Sequence, residues 1–184
     1  MFNVLFFYVL VSSAVFVYGI GLNKIIVFTK KPKDILFFFS KEIITILLSL
    51  CLCWPITKGI LVPNGLAELY PFFCFFIIYI ISIVITELAA HFLKKNVTGF
   101  YFSYCVLLLA INEGISFGNA ILVSLGCILS FFCMLPVIYA VRWKMKSSQQ
   151  YISFKETAML FLCIAVILFM LFSFNVSWLN PGVF

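Results

Sequence analysis

Charge is scarce in this sequence. Only 10% of its 184 residues are Asp, Glu, Lys or Arg, against about a quarter in soluble domains. A water-soluble fold of this length needs a charged surface that the chain does not supply. Histidine is scarcer still: His91 is the only one. No H-E-x-x-H zinc site can therefore be built, and no Ser/His/Asp constellation is expected from one His at the edge of an apolar run. A Gly-rich phosphate loop and a Walker sequence are both missing. No basic stretch is interleaved with aromatics, so nucleic acid is not an expected partner. Disulfide spacing is lacking too. The seven cysteines (Cys51, Cys53, Cys74, Cys105, Cys127, Cys133, Cys163) all fall inside apolar stretches, whereas a disulfide framework needs aqueous, oxidising loops. The one close pair, Cys51-Leu-Cys53, is tighter than a C-x-x-C metal or redox motif, and each thiol reads first as a small hydrophobe.

What the sequence has in abundance is apolar length. Hydrophobic residues make up 65% of the chain and the mean hydropathy is +1.24. A bilayer core asks for roughly 20 apolar residues per helical span, and lipid offers no partner for bare backbone groups, so the spans must be helices. Six are expected, at residues 2–22, 35–54, 70–92, 100–112, 119–141 and 158–178. The first run begins without a basic leader region and no small-residue cleavage site follows it, so it is expected to be a retained helix. A chain of this length reads as a single integral membrane domain over residues 1–184.

The basic residues fix an expected orientation. The first, third and fifth connections hold Lys24, Lys30, Lys31 and Lys33, then Lys94 and Lys95, then Arg142, Lys144, Lys146 and Lys155. The other side holds Lys58 alone. By the positive-inside rule the basic connections face the cytoplasm and both termini face away from it. The net charge of +6 is thus read as topogenic. Trp54, Tyr70, Tyr101, Trp143 and Trp178 stand near span ends as interfacial anchors.

Two spans are interrupted. The fourth ends at Ile111 and runs into Asn112-Glu113-Gly114-Ile115-Ser116-Phe117-Gly118. The first carries Gly19-Ile20-Gly21-Leu22-Asn23 before Lys24. Three spans per half give inverted repeats, at approximately residues 1–92 and 93–184. Gly-broken segments at matching places in such halves point to a site at mid-membrane, where half-helix ends supply free backbone groups and a dipole. The competing reading is that both are loops closing short helices.

Of the intramembrane polar residues, Glu113 is the main candidate. An ionisable side chain at membrane depth costs at least ~2.5–3.5 kcal/mol and usually faces protein or a water-filled cavity. It would serve there as a proton carrier or cation ligand, with Asn112 and Asn23 offering side-chain oxygens to the same ion. Otherwise it sits in the outer connection at the water boundary. Glu87 is a lesser candidate, close enough to the basic end of its span to pair with Lys94 or Lys95 or to reach water. Lys41 and Glu42, one turn into the second span, are expected to snorkel to the interface. Pro136 is expected to kink the fifth span.

The two interruptions, in order and setting, resemble the RnfA/RsxA and NqrE subunits of bacterial redox-driven ion pumps. The resemblance takes in Leu10-Val11-Ser12-Ser13 leading to Gly21-Leu22-Asn23, the basic turn Lys30-Lys31-Pro32-Lys33 and Ile60-Leu61-Val62-Pro63. It continues through Thr86-Glu87-Leu88, Ala110-Ile111-Asn112-Glu113-Gly114 and Tyr139-Ala140-Val141-Arg142. It implies an all-α membrane protein of two inverted three-helix repeats in the bacterial inner membrane. It also implies a role as scaffold, and as part of the ion path, in an ion-translocating electron-transport complex. The partners implied are a sister six-helix subunit of the RnfE/NqrD kind and redox subunits carrying flavins and iron–sulfur clusters. In that family one cysteine from each interrupted helix, with two from the sister subunit, holds a [2Fe–2S] cluster. Here those positions are Asn23 and Glu113, and neither is a thiolate. The resemblance thus predicts the scaffold without the cluster ligands, and no cofactor held by this chain alone. The alternative is a small cation- or proton-coupled solute transporter on the same scaffold.

Overall fold

The computed structural model describes residues 19–21, 24, 35–93, 99–147 and 153–178. Among them the chain is helical and forms no strand. The helices are α1 (Ile35–Trp54), α2 (Tyr70–Leu93), α3 (Phe100–Glu113), α4 (Phe117–Ser147) and α5 (Ser153–Trp178). Three stretches are long and apolar enough to cross a membrane: Ile35–Leu61, Ala67–Phe92 and Phe117–Lys144. The shortest has 26 residues, about 39 Å of helix against a hydrocarbon core of about 30 Å. Phe100–Glu113 and Ala158–Met170 are shorter apolar helices. The expected span at residues 2–22, with Asn23, lies outside the described residues apart from Gly19–Gly21.

By their contacts the residues fall into two compact units. One comprises Lys33–Ile128 with Met1, the other Phe2–Pro32 and Leu129–Phe184. In the first, α1 packs on both α2 and α3, and α2 packs on α3. Its core is apolar and fully buried at Phe38, Ile46, Leu50, Cys53, Cys74, Ile78, Val106, Leu107 and Ala110. In the second, Phe131, Ile138 and Leu160 are buried. Pro136 lies inside α4, which continues as one helix from Phe117 to Ser147.

The expected connection at residues 55–69 is largely helical. Pro55 has no N–H and its ring clashes with the carbonyl one turn back, so the chain widens into a π-helical turn, Pro55–Leu61. Thr57 Oγ1 donates to the carbonyls of Cys53 at 2.9 Å and Trp54 at 3.1 Å, meeting acceptors that the widened turn frees. Gly65, at φ +71°, turns the chain in a conformation that a side chain rarely adopts. A 3-10 turn, Ala67–Leu69, then leads into α2.

Candidate functional site

The second interruption read in the sequence is a break between two helices, and the described residues of the first form a turn. Ile20 and Gly21 form a turn, with Gly19 at φ +68° and Gly21 at φ +82°, left-handed values that favour glycine. At the second, α3 ends at Glu113 and Gly114 closes it, its N–H donating to Ala110 O at 3.0 Å. A methyl at Gly114 would lie 2.6 Å from Ala110 O and 2.8 Å from Ala120 Cβ. Glycine is needed here for room. Helix resumes at Phe117, with Ser116 Oγ accepting from Asn119 N–H at 3.3 Å, the usual bond of a serine N-cap. The break is three residues long. With 14 residues, α3 extends about 21 Å, short of a full crossing.

This end of α3 meets the π-helical turn. A cavity of about 180 Å³ is lined by Thr57, Lys58, Val62, Ala67, Tyr70, Ile111 and Asn112, large enough for several waters. Trp54 packs edge-on against Phe117 at 6.1 Å, and the Lys58 ammonium sits 5.5 Å from the centre of the Trp54 ring. Asn112 therefore faces the cavity. Glu113, the next residue, is half-buried at the last position of α3, close enough for its charge to act on the Cys127 thiol. Glu87 is exposed, beside a second cavity of about 230 Å³ with Tyr79, Ser82, Ile83, Thr86 and Phe100. The structure thus keeps Asn112 and Glu113 together and places Glu87 elsewhere; Asn23 lies outside the described residues.

Glu42 departs from expectation. It does not snorkel: it is 1% exposed, and Lys41 beside it 4%. Ser103 Oγ donates to Glu42 Oε2 from α3. Gly99, immediately before α3, lies so close to the carboxyl that a methyl there would overlap Glu42 and the Phe38 ring. The partner is 61 positions away, and hydropathy along one span carries no trace of it. One signal was present: Lys41, Thr45, Ser49, Cys53 and Thr57 recur every fourth residue, a stripe that drifts slowly around the helix. All five are buried. The hydroxyls donate within α1 and its extension, Thr45 to Lys41 O at 2.9 Å and Ser49 to Thr45 O at 2.6 Å.

The cysteines also pair differently from their spacing. Cys51 is exposed, while Cys53 of α1 and Cys74 of α2 are fully buried and face each other. Among the described residues, no three His, Cys, Asp or Glu side chains gather to hold a metal ion. The oxygen donors lining the cavity at the end of α3 are the Asn112 amide and the Thr57 hydroxyl, with the Glu113 carboxylate outside that lining. These hard oxygen donors suit a proton or alkali cation and not an iron–sulfur cluster. Cys105, eight residues earlier on the same helix, is about 12 Å away along its axis.

No protein-family model, curated protein or solved structure matches this chain.

Proposed function

We propose that this chain is an integral membrane subunit of an ion-translocating electron-transport complex of the Rnf or Nqr kind, acting as scaffold and as part of the ion path. The observation that carries the reading is the broken end of α3. There Asn112 faces a cavity shared with Thr57 and Lys58, and Glu113 follows it as the last helical residue. Discontinuous helices whose ends meet polar groups inside a membrane bundle are a recurrent way of building ion sites. The landmarks along the whole sequence support the same reading, with six spans in two inverted repeats, both termini outward and the bacterial inner membrane as its location. The sister six-helix subunit and soluble redox subunits would complete the complex. The cluster positions, Asn23 and Glu113, have lost their thiolates, so no electron step is assigned to this chain.

A second reading, a small cation- or proton-coupled solute transporter, is favoured by Glu42, a buried carboxylate that an electron-transfer scaffold does not require. Purification with native partners in mild detergent, with iron, acid-labile sulfide and flavin analysis, separates the two. Co-purifying flavin and iron–sulfur subunits are the expected result. A colourless chain purified alone, from membranes where such redox subunits are intact, would sink the subunit reading in favour of transport.

A further inference from the structure

We propose that Glu42 is a proton-exchanging carboxylate, seated against the start of α3. The proposal deepens the ion-path reading by placing a second station on it, on a different helix from Glu113.

Depth is the first argument. Glu42 stands seven residues beyond Ile35, where the first membrane-length stretch begins, about 10 Å along the axis. A carboxyl group at such depth is costly, and those retained tend to serve ion or proton paths. The seat is the second. Phe100, the first residue of α3, packs on Phe75 and Tyr79 at 5.5 and 5.8 Å. These residues lie in the first half of α2, far from its end at Leu93. Thus α3 begins inside the unit, and its N-terminal dipole lies in the interior where the Glu42 carboxyl meets it. The side chain missing at Gly99 leaves the space, and Ser103 Oγ supplies a hydrogen bond. Burial penalises the ionised carboxyl while the helix end and hydroxyl favour it.

On its own helix the charged neighbour of Glu42 in sequence is Lys41, also buried. From α3 the facing group is the uncharged Ser103.

Dicyclohexylcarbodiimide tests this on the full chain in detergent. It adds to a protonated carboxyl group in apolar surroundings, the acid O–H adding across a C=N bond with no leaving group. Mass mapping after labelling at a series of pH values should find the adduct on Glu42, forming more slowly as pH rises. Glu68, exposed before α2, should stay unmodified. Glu42→Gln should remove the adduct. Ser103→Ala, which takes away a donor to the ionised form, should let labelling persist to higher pH. Should Glu42→Gln fail to fold, the unmodified chain and Ser103→Ala still decide. Labelling of Glu113 or Glu87 without Glu42, or a Glu42 rate independent of pH, would overturn the proposal. So would protection by Na⁺ at constant pH, which would assign an alkali cation. Labelling needs no partner subunit, so a failed co-purification and a failed Glu42 assignment remain distinguishable.

Discussion

Ser49 and Ser103 are both buried serines on packed helices, yet their hydroxyls serve different ends. Ser49 donates to a carbonyl one turn back on its own helix, a bond that satisfies the group locally and contributes little to tertiary stability. Ser103 donates across to the carboxyl of Glu42. Deleting it removes one hydrogen bond to a buried acid, at about 1–3 kcal/mol. Thermal unfolding in detergent should therefore show Ser49→Ala within about 1 kcal/mol of the parent and Ser103→Ala clearly less stable. Equal effects would mean that the Glu42–Ser103 bond carries no weight. Gly99→Ala probes the same seat from the backbone side. Its methyl would overlap the Glu42 carboxyl and the Phe38 ring, and overpacking of that kind costs about 1–3 kcal/mol. The melting temperature should fall for Gly99→Ala and hold for Gly59→Ala as regards packing, since nothing lies within 4 Å of a methyl at Gly59. A Gly99→Ala chain as stable as the parent would show that Glu42 does not occupy this seat.

At the scale of elements, the expected spans at residues 35–54, 70–92 and 100–112 coincide closely with α1, α2 and α3. The expected start at residue 35 is the start of α1, and those at 70 and 100 are the starts of α2 and α3. Apolar length is a one-dimensional property, and a helix in lipid follows it directly. The breaks were legible for a related reason: Gly19, Gly21 and Gly114 interrupt apolar runs where the backbone needs either a left-handed turn or room. What escaped depends on which helices touch. Glu42 resembled a snorkelling residue because its socket is built by Gly99 and Ser103 of another helix. Cys51-Leu-Cys53 drew notice by spacing, although two residues along a helix turn the side chain about 200°, which leaves Cys51 exposed while Cys53 meets Cys74. Oxidation tests that last contact. Copper–phenanthroline should join Cys53 to Cys74 within one chain, shown by loss of two hydrogens and of two alkylatable thiols. Cys53→Ser should abolish the product and Cys51→Ser should leave it. Bridging through Cys51 instead would require a rotated α1, and the polar face assigned to Lys41, Thr45 and Ser49 would rotate with it.

For the whole molecule, the distribution of charge bears on which side of the membrane each station faces. Ten Lys and Arg residues lie in the first, third and fifth connections and Lys58 alone opposite, a bias that sets orientation during insertion. In the orientation proposed above, the Glu42 seat lies toward the cytoplasm and the cavity at Thr57, Lys58 and Asn112 toward the other face. Single cysteines introduced at Asn64, exposed in the turn before α2, and at Ser148, in the fifth connection, read this out against the native background. An impermeant maleimide applied to intact cells should label Asn64→Cys, and should label Ser148→Cys only after permeabilisation. The reverse pattern would give the chain the orientation of the sister subunit in the Rnf and Nqr families. The Thr57 cavity would then lie toward the cytoplasm and the Glu42 seat toward the other face. Equal labelling of each site from both sides would mean dual insertion. Two oppositely inserted copies could then supply the pseudo-symmetric pair that the Rnf and Nqr reading assigns to a separate sister chain. Co-purification would in that case yield a homodimer in place of a sister subunit, so the orientation experiment bears on the partner as well as on the path.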